Sequence, residues 1–216
     1  MDLHNLTSVF SQKTLATYQS QYNGEVKVIE QFGQRKIYAG GLLQSGSIIK
    51  QLWQKPLSQI KNKKIKTALI LGFGGGTATQ LLSQIYPSSQ ITGIEIDPVM
   101  IEIYQEFFNP VEDNDRCPLK LINDDCFHWI KKCKHKYDLV LVDLYQGHDI
   151  PKQLYTKSFI HNLKLIMQEN GILLINHLFF GSFQKRVPDL VQVLETEFKE
   201  IKLIRNLSNI FIFIKG

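Results

Sequence analysis

The chain has 216 residues, 44% hydrophobic and 21% charged, with a formal net charge of +5. That length holds one α/β domain with a real core but not two full-sized ones, and the composition excludes a disordered chain, a collagen-like repeat and a small disulfide scaffold. No apolar run approaches the ~20 residues of a membrane span, residues 1–7 lack the basic and apolar stretches of a signal peptide, and the charge permits an anionic partner without requiring one.

The first predicted elements are two strands, 25–32 and 35–44, around the turn Gly33-Gln34. A helix follows over 47–54, with Ile48, Leu52 and Trp53 on one side. The texture changes near Lys61, which divides the chain into a hairpin and helix, 1–60, and a larger unit, 61–216. In that unit the predicted strands are 65–71, 91–96, 119–122, 137–142 and 172–176. Between them lie predicted helices over 77–86, 99–108, a stretch through Trp129 and Ile130, and 155–167, the last ending near Asn170-Gly171. A helix over 187–198 and a closing hairpin, 201–205 with 210–214, complete the chain. Continuous apolar strands alternating with helices imply a parallel sheet covered on both faces. Right-handed crossovers then make the expected fold α/β, a doubly wound Rossmann-like sheet with a small N-terminal β-hairpin.

Ligands of such a sheet lie beyond the carboxyl ends of its strands. The first strand runs into Gly72-Phe73-Gly74-Gly75-Gly76-Thr77, where glycines allow a sharp turn and a close backbone approach. The dinucleotide fingerprint needs glycine at position 77. The spacing present, through Gly72, Gly74 and Gly76, resembles the nucleotide loop of class I S-adenosylmethionine-binding proteins. Glu95 lies 23 positions after Gly72, close to the ~20 at which an acidic residue meets ribose hydroxyls. Asp97 before Pro98 reads as a helix N-cap. Asp125 suits either an adenine amino group or an N-cap, and the two roles are compatible. Asp143, straight after the fourth strand, can accept a proton from an attacking amine or hold that amine in place.

From Asp143 onward the chain resembles the polyamine aminopropyltransferases, the spermidine synthase family. Their Asp-Ser-x-Asp-Pro-x-Gly-Pro segment, followed by Leu-Tyr and a Phe-bearing helix, aligns without a gap with Asp143 to Phe159 through Leu154-Tyr155-Thr156. Tyr38-Ala39-Gly40-Gly41-Leu42-Leu43-Gln44 is similar to the family's strand ending in Asp-Gly-x-x-Gln, whose glutamine helps hold the nucleoside. The resemblance covers roughly residues 22–176. It implies transfer of an aminopropyl group from decarboxylated S-adenosylmethionine to an amine, with Asp143 catalytic and with Gln44, Gly72, Gly74, Gly76, Glu95 and Asp125 around the donor. It also implies a homodimer. Open alternatives are a methyltransferase using S-adenosylmethionine itself, acting on an amine or other nucleophile, and a nucleoside-binding homologue without chemistry.

The chain departs from the family where cations bind. The loop aspartate of the family's Gly-Gly-Gly-Asp-Gly-Gly is Gly74, and the second aspartate of Asp-x-x-Asp is Gln146. Gln44 is followed by Ser-Gly-Ser-Ile-Ile instead of an acidic pair. Asp149, three residues late, is a candidate substitute. The C-terminal part of the family's substrate wall is expected to be reduced.

Other features have plainer readings. Lys61–66 and Lys131–136 precede neighbouring strands and form a solvated basic face at the amino edge, so no nucleic-acid site is expected. His148 and His177 flank the pocket as loop residues without a chemical role. Phe179, Phe180 and Phe183 are core aromatics. Cys117, Cys126 and Cys133 lack metal-ligand spacing and read as free thiols of a cytoplasmic protein, which makes the sequons at Asn5 and Asn206 accidental. No metal site is expected.

Overall fold

The computed structural model describes residues 12–109, 117–147 and 149–216. Two sheets organise them. The first is antiparallel and four-stranded, in the order β1 (Lys13–Ser20), β2 (Gly24–Gln31), β3 (Gln34–Ala39) and β4 (Leu42–Leu43). The expected hairpin is therefore its centre. β1 escaped prediction because its alternation is weak and most of its side chains are partly or fully exposed. The turn is Phe32-Gly33, one residue earlier than expected, and both residues have positive φ, 53° and 69°. Such a two-residue turn matches the twist of the flanking strands.

The second sheet has seven strands. β5 (Thr67–Leu71), β6 (Gln90–Glu95), β7 (Leu119–Asn123), β8 (Tyr137–Val142) and β9 (Met167–Leu178) run parallel. The hairpin β10 (Ile201–Asn206) and β11 (Asn209–Lys215) joins through an antiparallel β11–β9 ladder. The order is β10-β11-β9-β8-β5-β6-β7, so the winding reverses between β5 and β8. β9 begins earlier than expected. Its ladder with β8 jumps from Tyr137–Met167 to Leu139–Ile172, and the extra residues bulge out around Gly171, which the sequence marks as a helix stop.

Among the described residues six α-helices connect these strands: α1 (Ser47–Ser58), α2 (Thr77–Ile85), α3 (Pro98–Ile103), α4 (Cys126–Trp129), α5 (Lys157–Leu165) and α6 (Val187–Leu194). The helix expected over 99–108 changes at Tyr104 to a π-helical turn, Tyr104–Phe108. One apolar layer joins α5 and α6 to one face of the sheet through Phe159, Ile160, Leu190 and Leu194. The opposite face packs on α1 and α2 through Leu52, Trp53, Leu57, Leu81 and Leu82. Each such fully buried side chain contributes on the order of 1.5–3 kcal/mol.

The small sheet docks on α3 through Val26, Val28, Ile37, Met100 and Ile103. A polar lock adds direction. The Asp97 carboxylate caps α3 by accepting from the Val99 N–H, as expected, and its other oxygen accepts from Ser20 Oγ at 2.5 Å and Asn23 Nδ2 at 2.6 Å. The cap of a Rossmann helix thus fixes the strand end that carries Tyr22 and Asn23 over the carboxyl edge. Among the described residues no helix is long and apolar enough to cross a membrane.

Candidate active site

A cavity of about 280 Å³ opens at the carboxyl ends of β5, β6, β7 and β8, under the small sheet. It collects most of the residues singled out from the sequence: Gln44, Gly72, Gly74, Glu95, Asp125 and Asp143. Gly76 stands apart, outside the lining. It caps α2 with φ 74°, and a Cβ there would lie 2.5 Å from the Tyr104 ring, so its work is packing.

The loop after β5 is shaped by close approach. Gly72 has φ 84°, and a Cβ on it would come within 2.2 Å of the Asp143 carbonyl oxygen. Only glycine lets the ends of β5 and β8 meet, and that meeting sets Asp143 beside the loop. Gly74, with φ 55°, faces open space. Its N–H donates to Glu95 Oε2 at 2.7 Å, while the Asp97 N–H donates to Oε1 at 3.0 Å. Both oxygens are oriented by backbone and keep lone pairs for a ligand diol. Burial pushes the Glu95 carboxyl above its usual range, and the two backbone donors oppose that shift.

Asp125 does two things at once. Its Oδ1 accepts from the Phe127 N–H at 2.9 Å to cap α4, and the residue still borders the cavity. Asn123 steadies this loop by donating from Nδ2 to the carbonyls of Glu95 and Ile96.

Asp143 lies across the cavity from that group. Burial raises its carboxyl to about 6, against the opposing pull of hydrogen bonds from the Asn176 amide and the Trp53 indole. Asn176 Nδ2 is 2.8 Å from Asp143 Oδ1. Burial also drives the Tyr145 hydroxyl, on the same wall, well above its ordinary range. Trp53, Tyr145 and Asn176 were not read as site residues from the sequence. Asn176 left one signal, a polar residue within an apolar strand just before the carboxyl edge. Trp53 left none, because an aromatic on the buried side of a helix reads as core.

Several expectations resolve differently. Asp149 does not line the cavity. It pairs with Arg186 at 2.6 Å, which lowers its carboxyl, and so it replaces no missing carboxylate. His177 is fully buried in β9, not in a loop. Its Nδ1–H donates to the Leu178 carbonyl, and Nε2 accepts from the Tyr155 hydroxyl at 2.7 Å. Phe180 is 50% exposed and so is not core, whereas Phe183, edge-on to it, is partly buried and packs against the core beneath α5 and α6. His148 and Asn5 lie outside the described residues. The three cysteines are unpaired, two of them buried. The two lysine runs lead into the adjacent strands β5 and β8 at the amino edge, opposite the cavity.

The charge of the lining is one-sided. Glu95, Asp124, Asp125 and Asp143 supply carboxylates, and among the described residues no lysine, arginine or histidine borders the cavity. In a chain of net charge +5 this is a local inversion, suited to a cationic ligand.

A family profile described as the spermine/spermidine synthase domain matches residues 51–201. The polyamine aminopropyltransferase of Vibrio vulnificus is 31% identical over 118 residues, which cover 53% of this chain and 38% of that one. A probable polyamine aminopropyl transferase of Bifidobacterium longum is 33% identical over 110 residues, 51% of this chain and 24% of its own. The match thus spans less than two fifths of either relative's length. The crystal structure of a probable spermidine synthase from Corynebacterium glutamicum superposes with a TM-score of 0.78 at 15% identity, covering 93% of this chain and 79% of that one, which establishes a shared fold.

Proposed function

The chain belongs to the spermine/spermidine synthase family, and from that premise we propose that its cavity takes decarboxylated S-adenosylmethionine and passes the aminopropyl group to an amine. The single observation that carries this reading is the four-carboxylate lining without a cationic side chain. The donor bears a sulfonium and an ammonium. Its undecarboxylated parent adds a carboxylate that no described lining cation would meet, which disfavours the methyltransferase reading.

In this reading Glu95 accepts hydrogen bonds from the ribose diol, Asp125 accepts from the adenine amino group, and Gln44 holds the nucleoside from the small sheet. Gly72 and Gly74 admit the donor close to the backbone. The amine lone pair attacks the methylene carbon bonded to sulfur. The C–S bond breaks, its electron pair stays on sulfur, and a neutral thioether leaves. Asp143 holds the amine in line and takes its proton. A carboxyl raised to about 6 is a better base than an ordinary aspartate and is still largely ionised at neutral pH.

The acceptor half has one carboxylate, Asp143, flanked by Gln146, Gln153, Trp53 and Tyr145. A diamine needs negative charge for its far ammonium as well. The proposed acceptor is therefore an amine whose distal end is met by amides and aromatic rings, with weak or absent turnover of putrescine and spermidine. Calorimetric titration with S-adenosylmethionine, its decarboxylated form and methylthioadenosine tests the donor, and turnover across a panel of mono- and diamines tests the acceptor. Preference for the decarboxylated donor is expected. Tighter binding of the carboxylated form together with methyl transfer would replace this reading, and robust putrescine turnover would overturn the acceptor assignment.

A further inference from the structure

Behind Asp143 runs a line of side chains that the reaction does not itself require. Ser208 Oγ donates to Asn209 Oδ1 at 3.0 Å, Asn209 Nδ2 donates to Asn176 Oδ1 at 2.8 Å and to the hydroxyl of Tyr145, the titratable neighbour of Asp143, at 3.3 Å, and Asn176 Nδ2 donates to Asp143 Oδ1 at 2.8 Å. Asn176 and Asn209 are 3% and 5% exposed, so water does not compete for these groups. The direction of the line is forced. A carboxylate needs a donor facing it, so Asn176 must turn its oxygen the other way, where it in turn needs the N–H of Asn209. Flipping either amide would set oxygen against oxygen at under 3 Å.

The turn that delivers Asn209 is the two-residue hairpin turn Leu207-Ser208 between the paired Asn206 and Asn209. Leu207 has φ 53°, a left-handed conformation disfavoured for a residue with a Cβ. The same turn also grips α1. Pro56 has no N–H for the Leu52 carbonyl one helical turn before it, and Asn206 Nδ2 fills that place at 2.9 Å while also donating to the Gln51 carbonyl at 3.0 Å. Trp53, the other donor to Asp143, is the next residue of that helix. The β10–β11 turn therefore touches both supports of Asp143, one through Asn209 and one through Asn206.

We propose that Asn209 is a positioning residue for transfer: the oriented line Ser208–Asn209–Asn176 fixes the amide face presented to Asp143 and so keeps that carboxylate ionised and aimed at the amine. This rests on the proposed role of Asp143, but the orientation itself is measurable without turnover. Asn209→Leu removes the donor while keeping the size, so Asn176 is free to turn its oxygen toward Asp143.

The test compares wild type, Asn209→Leu and Ser208→Ala. Folding is checked by thermal melting and nucleoside binding by titration with methylthioadenosine. The titration of Asp143 is followed by carboxyl carbon NMR, and the pH profile of turnover is recorded with the best amine found. Asn209→Leu is expected to bind methylthioadenosine as wild type does and to lose about tenfold or more in kcat at neutral pH. Its Asp143 midpoint should rise by about one pH unit, and its rate should recover as pH is raised. Ser208→Ala should move the midpoint the same way by less, and it serves alone if Asn209→Leu does not fold. An unmoved Asp143 midpoint overturns the proposal whether or not the chain transfers aminopropyl groups. A rate loss equal at every pH also overturns it, because a merely loosened structure is not rescued by base. If the midpoint moves while wild type transfers nothing, the relay stands and the proposed reaction falls.

Discussion

The proposed donor and acceptor halves of the cavity are built by different means. In the donor half, each carboxylate is oriented by backbone within a few residues: Glu95 by the N–H groups of Gly74 and Asp97, Asp125 by the N–H of Phe127. In the acceptor half, Asp143 is oriented by side chains from β9 and α1, themselves held by the turn before β11. Backbone donors survive most substitutions, whereas a side-chain line fails at any link. The donor half should therefore tolerate change around it and the acceptor half should not. That asymmetry suits a scaffold that keeps its donor while its acceptor varies.

The sharpest test of this contrast is Asp143→Asn. Turnover with any amine should fall by about 10²–10⁴-fold, the usual contribution of a positioned base, while calorimetry shows donor affinity nearly unchanged. Full activity in this variant would remove Asp143 from catalysis.

Acid separates activity from stability. Asp143 titrates at about 6 when folded, against an ordinary value of 3.8. The folded state thus binds this proton more tightly than the unfolded chain does. Its stabilising effect is complete below pH ~4 and is lost as pH rises through 6, by about 3 kcal/mol at 1.36 kcal/mol per unit. Turnover should move the opposite way, falling as pH drops through 6. Denaturant unfolding of wild type and Asp143→Asn from pH 4 to 7 reads the first trend, since the asparagine variant should lack this slope. A pH–rate profile reads the second.

Glu95→Gln probes the donor half. Losing a charge-assisted hydrogen bond should weaken nucleoside binding by about 1.5–3 kcal/mol, and melting should fall as well, because the glutamine Nε2 cannot accept the backbone N–H that one carboxylate oxygen accepts in wild type. Unchanged affinity for methylthioadenosine would take away the central support of the donor site.

The smallest effect expected is a gain. Gly74→Asp returns a carboxylate to a position where nothing lies within 4 Å of the new Cβ, and aspartate tolerates φ 55° better than most residues. One ion pair at an effective dielectric near 20 is worth ~4 kcal/mol at ~4 Å before desolvation, most of which is lost near solvent. About a tenfold tighter KM for putrescine is expected, and less from Gln146→Asp, which is exposed. No change in either variant would show that missing charge is not what limits diamine use.

What the residues alone determined is what local rules control. The alternation of apolar strands with helices set the doubly wound sheet. Strand ends placed Gly72, Glu95, Asp125 and Asp143 along one edge, because in a parallel sheet each residue after a strand faces the same side. Asp97-Pro98 declared its helix cap. Tertiary structure decided the rest. Asp149 carried the right charge near the right motif, yet Arg186, 37 residues later, turned it outward. Asn209, Asn176 and Trp53 belong to a hairpin, a strand and a helix that no local pattern links, and they meet around one carboxylate only once the chain has folded. Hydrogen-bond direction along such a line is a property of the whole set of partners, so no single segment of sequence can carry it.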